Sequence, residues 1–177
     1  MTYSCHVLSD ILVLGTVPYK KRNEVSAMNY EIVCLEEKNV VGYLDRTNNS
    51  SPEMGTVIGG LWQKLYAPEN CSRIKNRVNE KALGIYMDYA SDECGDYTVM
   101  AAFEVKSNEE QTGFALRKIP AGKYAKFVVK GNMLTAVQEF WQKLWDMELE
   151  RSYLCDFEEY QNADPEHAEI HIYIGLK

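Results

Sequence analysis

The sequence predicts an α+β fold, a largely antiparallel sheet with two helices and pseudo-twofold symmetry, and three observations support this. Residues 60–66 resemble residues 139–145 at an offset of 79. Residues 86–105 align without a gap onto residues 157–176 at an offset of 71. Elsewhere, apolar and polar residues alternate as they do in half-buried strands. Together these patterns predict a duplicated module of strands, a helix and a hairpin.

Two strand-like segments open each half of the predicted repeat. In the first half they are residues 30–36 and 40–46, with a polar connection between them. In the second half they are residues 114–119 and 123–129, joined by a Pro-Ala-Gly turn. We therefore expect two strands before the helix in each half.

An amphipathic helix follows these strands in each half. Apolar residues recur at i, i+3 or i+4, and i+7 over residues 57–66 and again over residues 134–145. This spacing is typical of one buried helical face. Ser51 before Pro52 predicts the N-cap of the first helix, and Asn132 predicts that of the second.

A hairpin completes each half. Strands are expected at residues 83–89 and 97–105 across an acidic turn, and at residues 155–161 and 168–176 across a turn that contains Pro165. A symmetric sheet with two helices tends to form a cleft between the helices, near the pseudo-twofold axis. We expect a ligand pocket there.

The repeat also divides the 177-residue chain into a leader and a duplicated unit. Residues 1–28 are expected to form an extra strand or a loosely ordered extension. Residues 29–177 are expected to form one domain, with halves at about residues 29–106 and 112–177. The size of this unit lies within the usual range for a single domain.

Composition and charge exclude several classes of protein. The net charge of −7 argues against a general nucleic-acid binder, which needs a basic surface. The longest early apolar run, residues 11–17, is too short to span a membrane. Five widely spaced cysteines without a C-x-x-C motif favour reduced thiols in a cytoplasmic protein. Phosphate-binding and metal-binding motifs are absent, so we expect no cofactor and no metal.

Glu158 is the most informative candidate for chemistry. In the gapless alignment of the hairpins it is equivalent to Met87, so a carboxylate replaces an apolar side chain. Alternation puts Glu158 and Tyr160 on one face, and the equivalence puts Met87 and Tyr89 on the corresponding face. A buried, isolated carboxylate is costly. Glu158 is therefore a solvated strand residue, a buried group with a partner in the protein, or a buried group that binds a ligand cation or donor.

Trp62 and Trp141 occupy the same position in the two predicted helices. Pseudo-twofold symmetry would place them opposite each other across the cleft. Aromatic residues at helical spacing are commonly core residues, and the alternative is that both contact a ligand. Because each cation–π contact contributes about 0.5–2 kcal/mol, a buried carboxylate among such rings could hold an aromatic cation.

Residues 30–177 resemble the gyrase-inhibitor-like (GyrI-like) superfamily and the effector-binding domains of AraC-type and MerR-type multidrug regulators. The I-P-A-G-x-Y turn at residues 119–124 and the F-E-x-Y strand at residues 157–160 carry the resemblance, in order and at the right interval. It implies a ligand cleft with a central glutamate, a role that the F-E-x-Y motif gives to Glu158. The chain departs from the family at residues 154–156, where proline is common.

The resemblance implies a stand-alone bacterial protein that binds a small aromatic or lipophilic cationic molecule, in drug or effector sensing or in sequestration. Glu158 would be the counter-charge. The other predicted ligand-binding residues are Trp62, Trp141, Tyr89, Tyr160 and Met87. No direct DNA binding and no membrane contact are expected of this chain.

Two alternatives follow from the same resemblance. In one, the chain is a hydrolase of strained reactive molecules such as cyclopropane-bearing alkylators, with Glu158 and Tyr160 as catalytic residues. In the other, it acts on a protein partner such as a gyrase or a separate regulator.

Overall fold

The structure is a computed structural model that describes residues 28–177. The predicted leader, apart from Met28, lies outside the described residues. The described part of the chain forms eight strands and three helices. In chain order these elements are β1 (Glu31–Leu35), β2 (Lys38–Thr47), α1 (Met54–Tyr66), α2 (Pro68–Cys71), β3 (Arg77–Met87), β4 (Tyr97–Val105), β5 (Ala115–Ile119), β6 (Gly122–Gly131), α3 (Met133–Trp145), β7 (Arg151–Tyr160) and β8 (Ala168–Leu176).

All eight strands join one antiparallel sheet in the order β1-β6-β8-β7-β3-β4-β2-β5. The order is symmetric if β1 to β4 are equivalent to β5 to β8. The pseudo-twofold axis then passes between β7 and β3. These features confirm the predicted α+β fold, with the short helix α2 as an addition that the sequence pattern did not predict.

The opening strands are exchanged between the halves, which the sequence pattern did not predict either. Strand β1 pairs with β6, with Glu31 opposite Lys126, and β2 pairs with β5, with Lys38 opposite Ile119. Only two residues connect β1 to β2, and only two connect β5 to β6. These short connections bring the two ends of the sheet together, so the sheet curls around an apolar core.

Helices α1 and α3 pack on the other face of the sheet, which we call the helix-side face. Helix α1 buries Leu61 and Leu65 against β2 and β4, while α3 buries Phe140 and Leu144 against β6 and β8. The central strands β3 and β7 lie between the two helices. Among the described residues, no helix is long and apolar enough to cross a membrane.

The two long helices begin differently. The predicted cap of α3 is confirmed, because the Asn132 side chain accepts hydrogen bonds from the backbone N–H groups of Leu134 and Thr135. The predicted cap of α1 is wrong, because that helix begins after Glu53, which makes no side-chain capping bond. The Ser51 hydroxyl oxygen instead accepts from the Glu53 N–H, within the turn that precedes the helix.

The equivalence between the two hairpins needs two offsets rather than one. Strands β4 and β8 correspond at the predicted offset of 71. The register of β3 against β4 shifts between Arg77 and Ala82, and the register of β7 against β8 shifts between Arg151 and Asp156. The two irregularities lie at equivalent positions, 74 residues apart, so β3 and β7 correspond at an offset of 74 rather than 71. The three-residue difference lies in the hairpin turns.

Candidate functional site

Glu158 lies at the centre of the helix-side face, directly opposite Gly84 in the pairing of β7 with β3. The two positions differ by the 74-residue offset of these strands, so each is the structural equivalent of the other. The pseudo-twofold axis therefore passes between them. Glu158 is only 2% exposed. The solvated alternative for this residue is thus wrong, and a carboxylate is buried on the symmetry axis.

Three neutral groups donate hydrogen bonds to this carboxylate. The Tyr86 hydroxyl and the Trp141 indole N–H donate to Oε1 at 2.9 and 2.8 Å, and the Tyr160 hydroxyl donates to Oε2 at 2.8 Å. None of the ion pairs among residues 28–177 includes Glu158. The carboxylate is therefore hydrogen-bonded but has no counter-charge within this part of the chain.

Burial controls the protonation of this group. Desolvation raises the pKa of Glu158 above its ordinary value, and the hydrogen bonds from Trp141, Tyr160 and Tyr86 oppose that rise. Burial, as the larger cause, and the nearby Glu158 carboxylate, as the second, raise the pKa of Tyr86 and of Tyr160. The same two causes raise the pKa of Tyr97 to about 12. The tyrosines therefore remain protonated hydrogen-bond donors at neutral pH.

Two matched aromatic pairs flank Glu158. Trp62 of α1 meets Tyr160 edge to face, with ring centroids 5.2 Å apart and an interplanar angle of 76°. Trp141 of α3 meets Tyr86 in the same way, at 5.1 Å and 72°. Each pair joins a helix of one half to a strand of the other half. The carboxylate thus lies between two nearly equivalent Trp–Tyr pairs.

Of the predicted site residues, Trp62, Trp141 and Tyr160 surround Glu158, but Met87 does not. Met87 pairs with Cys155 and is buried in the core cluster of the opposite face. Its predicted position on the face of Glu158 is wrong, because the gapless alignment ignored the three-residue difference between the hairpin turns.

Tyr89 lies beyond the end of β3 and contacts a different carboxylate. Its hydroxyl donates to Asp156 Oδ2 at 2.8 Å. Its ring centroid is 5.6 Å from that of Tyr97, which is in turn 5.9 Å from that of Tyr86. Two ring contacts thus connect Tyr89 to Tyr86, which donates to Glu158.

Sequence reasoning missed Gly84 and Tyr86. A signal for both existed, because Tyr86 follows Gly84 at the same interval at which Tyr160 follows Glu158. An alignment that allows a gap in the hairpin turn would have matched these pairs.

Asp156 is a second buried carboxylate on β7, with no exposed surface. The Arg151 guanidinium lies 2.7 Å from its Oδ2, to which Tyr89 also donates, and the backbone N–H of Gly175 donates to Oδ1 at 2.8 Å. Asp156 therefore has an internal counter-charge, and its arrangement is that of a structural ion pair.

The residue types at and near Glu158 limit the kind of ligand or reaction that the site can support. Among the described residues, no group of three or more His, Cys, Asp and Glu side chains could hold a metal ion. Burial raises the pKa of the Cys155 thiol, which disfavours the nucleophilic thiolate. A single carboxylate between aromatic rings is an arrangement suited to binding a cation.

Comparison with known proteins provides independent information. Residues 31–176 match the Cass2 family, described as integron-associated effector binding proteins. The integron cassette protein VCH_CASS2, from the mobile metagenome of Vibrio cholerae, is 27% identical, with a TM-score of 0.69 over 84% of this chain and 95% of that chain.

Two more distant structures share the fold. SAV2435, solved bound to tetraphenylphosphonium, is 20% identical with a TM-score of 0.70, over 85% of this chain and 94% of that chain. EcmrR, solved in a complex with DNA, is 12% identical with a TM-score of 0.54, over 84% of this chain and 58% of that chain. No curated protein matches the chain.

Proposed function

The chain belongs to the Cass2 family of integron-associated effector-binding proteins, and we propose that it binds a lipophilic aromatic cation at Glu158. The family confirms the predicted GyrI-like resemblance and supports small-molecule binding as the general function. One observation carries the more specific proposal: Glu158 is buried between two Trp–Tyr pairs, and no counter-charge pairs with it among residues 28–177.

Electrostatics favours a cation over a neutral ligand. A carboxylate in a poorly solvated site interacts strongly with a nearby positive charge, because little water screens the interaction. Burial raises the pKa of Glu158, so desolvation disfavours its ionised form despite the three hydrogen bonds that it accepts. A bound cation would stabilise that ionised form and would lower its pKa.

The aromatic pairs favour a lipophilic cation over a hydrated one. A small, strongly hydrated ion would lose its water shell on entering a site lined by rings. An aryl cation spreads its charge and loses less hydration. It would also gain about 0.5–2 kcal/mol for each cation–π contact with Trp62 or Trp141.

The hydroxyl and indole N–H groups around Glu158 hold its carboxylate in place. Tyr86, Trp141 and Tyr160 fix the orientation of the carboxylate before a ligand binds. Trp62 and Trp141 are partly exposed, whereas Glu158 is covered. The ligand would therefore meet the two indole rings first and reach the carboxylate when those rings move aside.

A solved relative in fold supports the proposal. SAV2435 has the same fold and was solved bound to tetraphenylphosphonium, a lipophilic aryl cation. Binding in effector sensing or sequestration is the role that we infer from this site. Hydrolysis of strained molecules and action on a gyrase or a separate regulator stay predictions from the sequence.

Titration with tetraphenylphosphonium tests the proposal. We expect Glu158→Gln to lower the affinity at least about tenfold, equivalent to about 1.4 kcal/mol, because the amide removes the counter-charge and keeps the shape. Calorimetry or quenching of tryptophan fluorescence measures the affinity.

Glu159→Gln is the matched control, since Glu159 neighbours Glu158 on the opposite face of β7 and lies 3.6 Å from Lys81. It should bind like the wild type. Equal affinity of the wild type and Glu158→Gln would refute a cation site at Glu158, and so would an equal loss in both variants.

A further inference from the structure

We propose that Gly84 is a positioning residue for Glu158, and that it makes the site selective for cations whose charge lies at the centre of the molecule. This inference rests on the proposed function, because it concerns how Glu158 meets a bound cation. It assigns a role to a residue on the strand opposite the carboxylate.

The position of Gly84 on the pseudo-twofold axis is the first step. Gly84 and Glu158 are paired and are also equivalent by the repeat. Side chains at directly paired positions of an antiparallel sheet lie on the same face, with their Cβ atoms about 4.5–5.5 Å apart. Two large side chains at this pair would therefore compete for the same space on the axis.

Distances show which side chain uses that space. A Cβ atom at position 84 would lie 3.0 Å from Oε2 of Glu158, 3.7 Å from its carboxyl carbon and 3.2 Å from Cζ2 of Trp62. The carboxylate thus extends from β7 across the axis and lies over the backbone of Gly84.

Backbone conformation does not account for this glycine. Among the described glycines, only Gly113 and Gly131 have positive φ angles, so Gly84 has a backbone that other residues adopt. What position 84 requires is space rather than conformational freedom. The space is filled by the Glu158 carboxylate and the edge of the Trp62 ring.

The central position of the carboxylate has a consequence for the ligand. Donors from both halves reach it: Tyr86 from the first half, and Trp141 and Tyr160 from the second. The two Trp–Tyr pairs, with centroid distances of 5.2 and 5.1 Å, are disposed equivalently around it. A cation with a central charge can place that charge at Glu158 and one aryl group against each pair. A cation with its charge at one end can use only one pair.

Two probes separate these cases. Tetraphenylphosphonium carries its charge at the centre, and (biphenyl-4-ylmethyl)trimethylammonium carries it at one end. We expect Gly84→Ala to lower the affinity for the central-charge probe about tenfold and that for the end-charge probe less than about threefold. The added methyl group would lie 3.0 Å from Oε2 and would push the carboxylate away from its central position by a few tenths of an ångström, so the ratio of the two affinities should fall.

Two further variants control for the substitution itself. Gly60→Ala in α1 makes the same chemical change where a Cβ meets nothing within 4 Å, and it should leave the ratio unchanged. Glu158→Asp shortens the side chain and should lower the ratio even with Gly84 present. In the double variant the shorter carboxylate avoids the alanine, so the two losses should be less than additive.

The outcomes distinguish this inference from the proposed function. If Glu158→Gln binds both probes as the wild type does, the cation site itself is wrong. If Glu158→Gln weakens both probes but Gly84→Ala and Glu158→Asp leave their ratio unchanged, the cation site stands and the role of Gly84 is overturned. Additive losses in the double variant would also overturn it.

Discussion

Asp156 and Glu158 are both buried carboxylates on β7, yet the protein surrounds them differently. Asp156 lies 2.7 Å from the Arg151 guanidinium and accepts further hydrogen bonds from Tyr89 and Gly175. Within the described part of the chain, Glu158 accepts hydrogen bonds from neutral donors alone, and burial raises its pKa. They are two positions apart on the same strand and are 0% and 2% exposed, so the difference comes from their partners rather than from depth.

The difference indicates the role of each group. A buried charge with an internal counter-charge is already compensated and contributes to the fold only as long as both partners remain. A buried carboxylate without one keeps a large part of its electrostatic interaction available to a ligand. We therefore expect substitutions at the two positions to affect different properties of the protein.

The largest expected effect is on stability, from Asp156→Asn. The substitution leaves the buried Arg151 guanidinium with the partly exposed Glu93 carboxylate, 3.6 Å away, as its ion-pair partner, so the free energy of unfolding should fall by about 3 kcal/mol. Urea unfolding followed by circular dichroism measures this change. The folded variant should bind tetraphenylphosphonium like the wild type. A loss below about 1 kcal/mol, or reduced cation affinity of the folded protein, would contradict the structural role of Asp156.

Glu37→Gln provides the control for that experiment. It removes an ion pair between Glu37 and Lys118, both of which are about half exposed. Exposed ion pairs contribute little, so the change should stay within about 0.5 kcal/mol.

A smaller effect of opposite sign is expected from Glu158→Gln without ligand. The pKa of Glu158 is higher in the folded protein than its ordinary value of 4.5, so at pH values above 4.5 the folded state binds more protons than the unfolded state does. Stability contributed by the protonated form is therefore lost as pH rises through the folded pKa. The neutral amide of the variant does not ionise, so the variant keeps this stability. The melting temperature of Glu158→Gln at pH 7 should therefore exceed that of the wild type by a few degrees.

Thermal unfolding across a pH series measures this difference. The two melting temperatures should converge as pH falls below 4.5. A variant that is less stable than the wild type at pH 7 would show that the ionised carboxylate stabilises the fold, as Asp156 does.

Much of the fold could be predicted from local patterns. The helix repeat at an offset of 79 and the alternation of the strands identified both halves, and Asn132 identified a helix start. The exchange of β1 and β5 between the halves could not be predicted, because alternation shows which residues share a face but not which strand lies alongside. The short connections at residues 36–37 and 120–121 are compatible with a hairpin as well as with a crossover.

The site was predicted in part. The repeat and the F-E-x-Y motif mark four of the side chains that lie together at the site: Glu158, Trp62, Trp141 and Tyr160. Met87 was misplaced because the period of a strand is two, so an alignment error of three residues moves a side chain to the opposite face. The role of Gly84 needs the pairing register, which local pattern does not contain.

The pH dependence of cation binding tests the central claim most directly. Tetraphenylphosphonium affinity should be measured for the wild type and for Glu158→Gln between pH 4 and pH 8, since a cation competes with a proton for the same carboxylate. Below the raised pKa, the affinity of the wild type should fall about tenfold for each unit of pH, and that of the variant should stay constant. Parallel profiles for the two proteins would contradict a cation site at Glu158.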